Sequence, residues 1–145
     1  MLRCGKRCVC LLHELQPQSQ VRLPDDRKNY SLIYMNWIDL TEPDKLARIK
    51  ELSRTKPQVI FKHSTRCFIS STIKERLERS NIPADVDFYY LDLIRYRGIS
   101  NTIASDFSVY HESPQVLLIQ DGECTYDESH NAIAMNAIIE QIKYS

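Results

Sequence analysis

Only three of the 145 residues are glycine. That is too few for the glycine-rich loops that wrap a phosphate or a dinucleotide. No apolar stretch approaches the ~18–20 residues of a membrane-spanning helix. The basic start, Met1 to Cys8, is followed only by Val9-Cys10-Leu11-Leu12 before His13 and Glu14. A secretory signal needs an apolar region of roughly 7–15 residues. Charge of one sign is also missing, with 19 Lys+Arg against 19 Asp+Glu. Residues 1–34 hold six of the basic and three of the acidic side chains, leaving 13 basic against 16 acidic beyond them. A mildly acidic body lacks the basic face that nucleic acid requires. The five cysteines are odd in number and have no framework spacing, which argues against a disulfide-stapled fold. Together these absences point to a cytoplasmic protein with reduced thiols, bound to neither membrane nor nucleic acid. There is no carboxylate pair suited to hydrolysis and no Ser-His-Asp arrangement.

What is present begins after an uninformative leader. Gln16 to Tyr30 carries no usable periodicity, so residues 1–34 are expected to be disordered or a misassigned extension, with Met35 a natural translation start. Cys4, Cys8, Cys10 and His13 do not match a zinc spacing, and no metal site is expected. Residues 35–145 read as one domain. Trp37 to Leu40 is a short strand, and Thr41-Glu42-Pro43-Asp44 resembles a helix cap with Thr41 at the N-cap. Leu46, Ile49 and Leu52 mark one face of the helix that follows. Val59-Ile60-Phe61 reads as a buried strand, and a second helix opens at Cys67 with Ile69, Ile73 and Leu77 on its inner face. Lys74–Glu78 and Glu75–Arg79 are opposite-charge pairs on the outer face. Asp87 to Asp92 is a third strand, and Ser100 to Phe107 a short helix capped by Ser100 or Asn101. Val116 to Ile119 and Glu123 to Tyr126 form a hairpin across Asp121-Gly122. A last helix starts near Asp127 or Ser129 and buries Met135, Ile138, Ile139 and Ile142. The order β-α-β-α-β-α-β-β-α predicts a mixed sheet between two helical layers, a three-layer α/β/α sandwich of thioredoxin-like layout.

Cys67 is the residue that most directly suggests chemistry. It stands where an apolar strand gives way to a helix, in the field of unpaired N–H groups that favour thiolate over thiol. Lys62, His63 and Arg66 add positive charge nearby, although alternation along a strand forbids Lys62 and His63 from both facing the sulfur. Position 70 is serine, so the motif is Cys-x-x-Ser. Ser70 cannot form a disulfide, but its hydroxyl can donate to the Cys67 thiolate. This predicts a thiol–disulfide mechanism using one sulfur, with an outside thiol releasing the product. The bland alternative is a buried, inert cysteine. Cys124, on a strand near the sheet edge, reads as structural. Pro114 would be trans on the frequencies of X-Pro bonds alone. The layout reverses that expectation by placing a cis-proline loop against the cysteine, with Ser113 offering its backbone to a substrate strand. His111, three residues before Pro114, either assists the thiolate and the leaving thiol or faces solvent. His130 reads as serving the start of the last helix.

Phe61-Lys62-His63-Ser64-Thr65-Arg66-Cys67 with Ile69-Ser70, Ile99-Ser100-Asn101 with Ile103-Ala104, and His111-Glu112-Ser113-Pro114-Gln115 resemble the monothiol bacilliredoxins, from about Trp37 to Ile142. The resemblance implies a thioredoxin fold and a nucleophilic cysteine, here Cys67, that takes bacillithiol from S-bacillithiolated proteins. Bacillithiol would be a thiol co-substrate, with no bound cofactor. Where the family reads Cys-Pro-Ile-Ser, this chain reads Cys67-Phe68-Ile69-Ser70, which frees one N–H and adds an aromatic ring. Arg66, Lys62 and Arg97 are candidate partners for the carboxylates of such a low-molecular-weight thiol, or else solvated surface charges. Two other readings remain: a non-catalytic thioredoxin-like binding module that holds an extended strand at Ser113-Pro114, and a redox sensor without turnover.

Overall fold

The computed structural model describes residues 34–142. The expectations for residues 1–33, including Cys4, Cys8, Cys10 and His13, lie outside the described residues. The element order is β1 (Trp37–Asp39), α1 (Asp44–Leu52), β2 (Gln58–His63), α2 (Phe68–Glu78), β3 (Asp87–Asp92), α3 (Arg97–Asp106), β4 (Gln115–Gln120), β5 (Glu123–Ser129), a 3₁₀ turn (His130–Ala132) and α4 (Met135–Gln141). The strands form one sheet in the order β1-β3-β2-β4-β5. β1, β3 and β2 run parallel, while β4 is antiparallel to both β2 and β5. This is the α/β/α architecture expected from the alternation of elements.

Burial follows from the two-residue period of a strand. Val59 and Phe61 of β2 join Val116 and Leu118 of β4 under Ile73 and Leu77 of α2 and Ile138 of α4. Ile60, Leu117 and Ile119 face the opposite way, onto Leu46 and Ile49 of α1 and Ile99 and Ile103 of α3. Every residue of β2 and β4 is buried, as central strands covered on both faces must be. The Asp121-Gly122 hairpin turn has positive φ at both residues, +53° and +84°, which suits Gly122. Ser53 at the end of α1 receives it, its Oγ accepting the Gly122 N–H at 2.8 Å.

Several local expectations are corrected. Thr41 does not cap α1. Pro43 occupies the N-cap position without a side-chain hydrogen bond, its carbonyl accepting the Leu46 N–H. The inner face of α2 is Ser70, Ile73 and Leu77, and Ile69 is 45% exposed. The outer pairs do form, Lys74–Glu78 at 2.5 Å and Arg79–Glu75 at 3.7 Å, but the first is partly covered by Trp37. α3 begins at Arg97, three residues before the expected caps, which places Ser100 inside the helix and fully buried. β5 continues to Ser129, and the chain then turns through His130 at φ +53°, so α4 starts only at Met135.

Candidate functional site

The C-terminal ends of β2 and β3 and the start of β4 meet at one edge of the sandwich. β2 ends at His63, and Ser64 to Cys67 form a tight turn closed by the Cys67 N–H on the Ser64 carbonyl at 3.1 Å. Cys67 is the N-cap of α2, in extended conformation, and its carbonyl accepts the first helical bond from Ser71 at 3.2 Å. Its side chain makes no capping hydrogen bond and is partly exposed. Cys67 therefore stands at the helix end whose first N–H groups have no intrahelical partner. Phe68, the next residue, projects into solvent at 85% exposure.

Ser70 is fully buried. Its Oγ accepts the Ser64 N–H at 3.0 Å and lies 2.8 Å from His63 Nδ1. Burial, followed by the Lys74 ammonium, holds His63 below its ordinary value. A neutral imidazole can accept the Ser70 O–H hydrogen bond at Nδ1. The hydroxyl thus serves the turn that carries Cys67, in place of the donation to the sulfur expected from Cys-x-x-Ser spacing.

The proline loop faces this turn. In the β2–β4 register Lys62 opposes Gln115, so His63 and Pro114 lie one residue beyond. The Ser113–Pro114 peptide is cis, as the layout indicated and bond frequencies alone did not. Among the described residues, the Ser113 hydroxyl is shielded from solvent and has no hydrogen-bond partner. Gln115 ties the loop from both ends of its amide. Its Nε2 donates to the Tyr110 carbonyl at 2.8 Å and to Asp127 Oδ2 at 3.2 Å, and its Oε1 accepts the Glu112 N–H at 3.3 Å. His130 adds two more ties. Its N–H donates to the Pro114 carbonyl at 3.0 Å, and its Nε2 lies 3.0 Å from Glu112 Oε2. This replaces the role expected for it at the last helix.

Lys62 requires a correction. It was a candidate for a ligand carboxylate, yet its side chain is 0% exposed. Its Nζ lies 2.9 Å from His111 Nδ1 and 2.9 Å from Gln115 Oε1. Burial brings its pKa down to about 8, against the opposing pull of Glu112 and Asp127. Lys62 and His63 do point to opposite faces, as strand alternation required. His111 is exposed as a residue, but its Nδ1 turns inward to Lys62 and to Ser100 Oγ at 3.2 Å. Arg66 and Arg97 are exposed. Arg97 is close enough to His111 that, after burial and Lys62, it helps hold the imidazole below its ordinary value.

Cys124 belongs elsewhere. It pairs with Ile119, which opposes Gln58 at the start of β2, the far end of the strand from Cys67. Its thiol donates to the Tyr126 carbonyl at 3.3 Å, and burial, then Asp127, push it up to about 11. Among the described residues no group of three His, Cys, Asp or Glu could hold a metal ion, and no helix is long and apolar enough to cross a membrane. The reading from sequence gave no site role to Gln115, Ser64, Ser100 or His130, although the first three stand in the motifs that carry the family resemblance. A glutamine opening an otherwise apolar buried strand was a further signal.

The model of the family described as monothiol bacilliredoxin BrxC matches residues 38–138. A solved structure provisionally described as an oxidoreductase with a thioredoxin fold is 29% identical, with a TM-score of 0.64 over 72% of this chain and 91% of that one. Thioredoxin O2 of Arabidopsis thaliana, in its oxidised state, is 20% identical, with a TM-score of 0.58 over 74% of this chain and 95% of its own. The thioredoxin of Malassezia sympodialis is 18% identical, with a TM-score of 0.57 over 73% and 88%. These last two show the fold alone. The chain belongs to the monothiol bacilliredoxin family and has a thioredoxin-like fold with a redox function.

Proposed function

We propose that this bacilliredoxin-family chain is a thiol–disulfide reductase that works with the single sulfur of Cys67. The thiolate of Cys67 attacks the bacillithiol sulfur of a mixed disulfide between bacillithiol and a client protein. A new S–S bond joins Cys67 to bacillithiol, the old one breaks, and the client cysteine leaves as thiolate and takes a proton from water. A second, low-molecular-weight thiol, as thiolate, then attacks the bacillithiol sulfur of the adduct, so that the two small thiols leave joined as a disulfide and Cys67 is released as thiolate. The observation that carries this reading is Cys67 itself: a partly exposed N-cap with no side-chain hydrogen bond. Position 70 holds a serine committed to the turn, and Cys124 lies at the other end of the sheet.

The client would run past the cis Ser113–Pro114 loop. Phe68 at 85% exposure and Tyr110 at 92% offer it apolar contact. Arg66 and Arg97 are the cations available for the carboxylates of bacillithiol, since Lys62 is out of reach. The same exposed aromatics favour a second reading, a binding module that holds a partner strand while Cys67 stays idle. Multiple-turnover kinetics separate these readings. A bacillithiolated model protein and excess thiol reductant should give release well beyond one equivalent per enzyme, and none with Cys67→Ser. Release that stops at one equivalent indicates a sensor, and binding without release, unaffected by Cys67→Ala, indicates the module. A glutathionylated substrate run alongside tests the choice of thiol.

A further inference from the structure

Beneath the proline loop lies a charge that the one-sulfur mechanism does not use. Lys62 is an ammonium-bearing side chain with no exposed surface, on the face of β2 opposite His63. Such a charge is costly to bury unless its protons are taken up. Two of its three N–H donors have partners in the structure, His111 Nδ1 and Gln115 Oε1, each at 2.9 Å. Both partners flank Ser113 and Pro114. Gln115 in turn holds the Tyr110 carbonyl and the Glu112 N–H.

We propose that Lys62 is a positioning residue: its buried ammonium sets the loop from Tyr110 to Pro114 and locks His111 in the tautomer whose outward nitrogen carries the proton. The second half follows from the chemistry of the contact. An ammonium can only donate, so His111 Nδ1 must accept, and a neutral imidazole accepting at Nδ1 bears its hydrogen on Nε2. Because His111 is exposed, that N–H is presented at the rim of the proline loop. Ser100 Oγ, 3.2 Å from the same Nδ1, keeps that edge of the ring turned inward, and its hydroxyl fits either tautomer, so the ammonium alone makes the choice. The charges facing Lys62 are Glu112 of the loop and Asp127 of β5, together with the imidazole itself. Those facing His111 are Lys62, Arg97 at the start of α3, and Glu112. The outward N–H beside Arg97 is a donor for an anionic group, and the one this function supplies is a carboxylate of the low-molecular-weight thiol. This last step rests on the reading of Cys67 given above, whereas the tautomer lock does not.

Nitrogen-15 NMR of the histidine rings in the full-length protein, assigned with His111→Asn, tests the lock directly. The parent should show His111 protonated at Nε2 with Nδ1 accepting, and titrating below the ordinary histidine value. Lys62→Met, close in shape, should raise that titration and mix the tautomers. A parent His111 protonated at Nδ1 overturns the proposal whether or not the variant folds. So does a Lys62→Met protein whose His111 behaves as in the parent. In turnover with a bacillithiolated substrate, Lys62→Met should lose about tenfold in kcat/KM, mostly through KM, the scale of one hydrogen bond to a charged group. The predicted ring behaviour in a parent that releases no thiol would sink the reductase reading and leave the lock standing. Lost turnover with an unchanged His111 would do the reverse.

Discussion

The two cysteines of the described domain occupy opposite ends of the same sheet, and the ends treat them oppositely. Cys67 follows the C-terminus of β2, where parallel strands deliver the chain into a helix start and leave N–H groups without partners. Cys124 follows the hairpin, where the thiol packs beside the α1–α3 core, donates to a carbonyl and is pushed up to about 11 by burial and then by Asp127. One side chain is partly exposed at a helix start and the other is held by burial and a hydrogen bond, and the difference comes from strand direction and helix placement. Polar residues divide in the same way. At the hairpin end Gln58, Tyr89, Lys56 and Asp87 satisfy one another, with Tyr89 Oη donating to Gln58 Oε1 at 2.9 Å and Lys56 lying 2.6 Å from Asp87. At the Cys67 end Ser70 bonds the turn before α2, and Lys62 bonds Gln115 beside the cis-proline loop.

The largest expected break in this comparison comes from removing each sulfur in turn. Cys67→Ser should abolish release of bacillithiol from a client, and Cys124→Ser should leave the rate within about twofold, as steady-state kinetics on both variants would show. Alkylation is the next largest contrast. With a value of about 11, Cys124 is thiolate in only about one molecule per thousand at pH 8. Peptide mapping after iodoacetamide at that pH should find Cys67 labelled and Cys124 untouched until the protein is denatured. Equal labelling in the native state would mean that the hairpin end does not bury its thiol.

Stability measurements sharpen the comparison further. Ser70→Ala leaves the buried Ser64 N–H without its acceptor, and should cost about 1–3 kcal/mol in urea unfolding. Ser70→Thr, if its methyl fits, should recover part of that loss. The last contrast is a pair of opposed alkaline slopes, which partly cancel where they overlap. Lys62 has a folded value of about 8 below its unfolded 10.5, so the unfolded chain binds more protons between those limits and stability rises with pH there. Cys124 has a folded value of about 11 above its unfolded 9, so the folded chain keeps the proton and stability falls from pH 9 to 11. Each slope is at most about 1.4 kcal/mol per pH unit. Lys62→Met should remove the rise and Cys124→Ala the fall, as read from urea unfolding between pH 7 and 10.5.

Much of this architecture was legible in the sequence because β2, β3 and β4 are apolar runs bounded by turn residues, and Asp121-Gly122 is a local hairpin signal. Cys67 was legible as a helix start for the same local reason. The helix faces were harder to read. Ile69, Ile73 and Leu77 have better apolar spacing than Ser70, Ile73 and Leu77, but Ser70 is the residue drawn inside, because the Ser64 N–H and His63 give its hydroxyl partners there. Lys62 was read as a solvent-facing charge because its partners are 49 and 53 residues away, and no local pattern reports them. Arg97 and Gly98 did not look like a helix start, and α3 begins there because Ile99 and Ile103 are held against the sheet. The end of β5 depends on pairing with β4 as far as Ser129 opposite Gln115, a long-range match that outweighs the helical pattern near Asp127.

In the proposed mechanism one sulfur, that of Cys67, does the work. Full-length parent, Cys67→Ser and Cys124→Ser proteins, each reduced, mixed with oxidised bacillithiol and analysed by intact mass and peptide mapping, test it most directly. One bacillithiol adduct is expected on the Cys67 peptide of the parent and of Cys124→Ser, and none within residues 34–142 of Cys67→Ser. An adduct on Cys124, or an intramolecular disulfide joining it to Cys67, would contradict it.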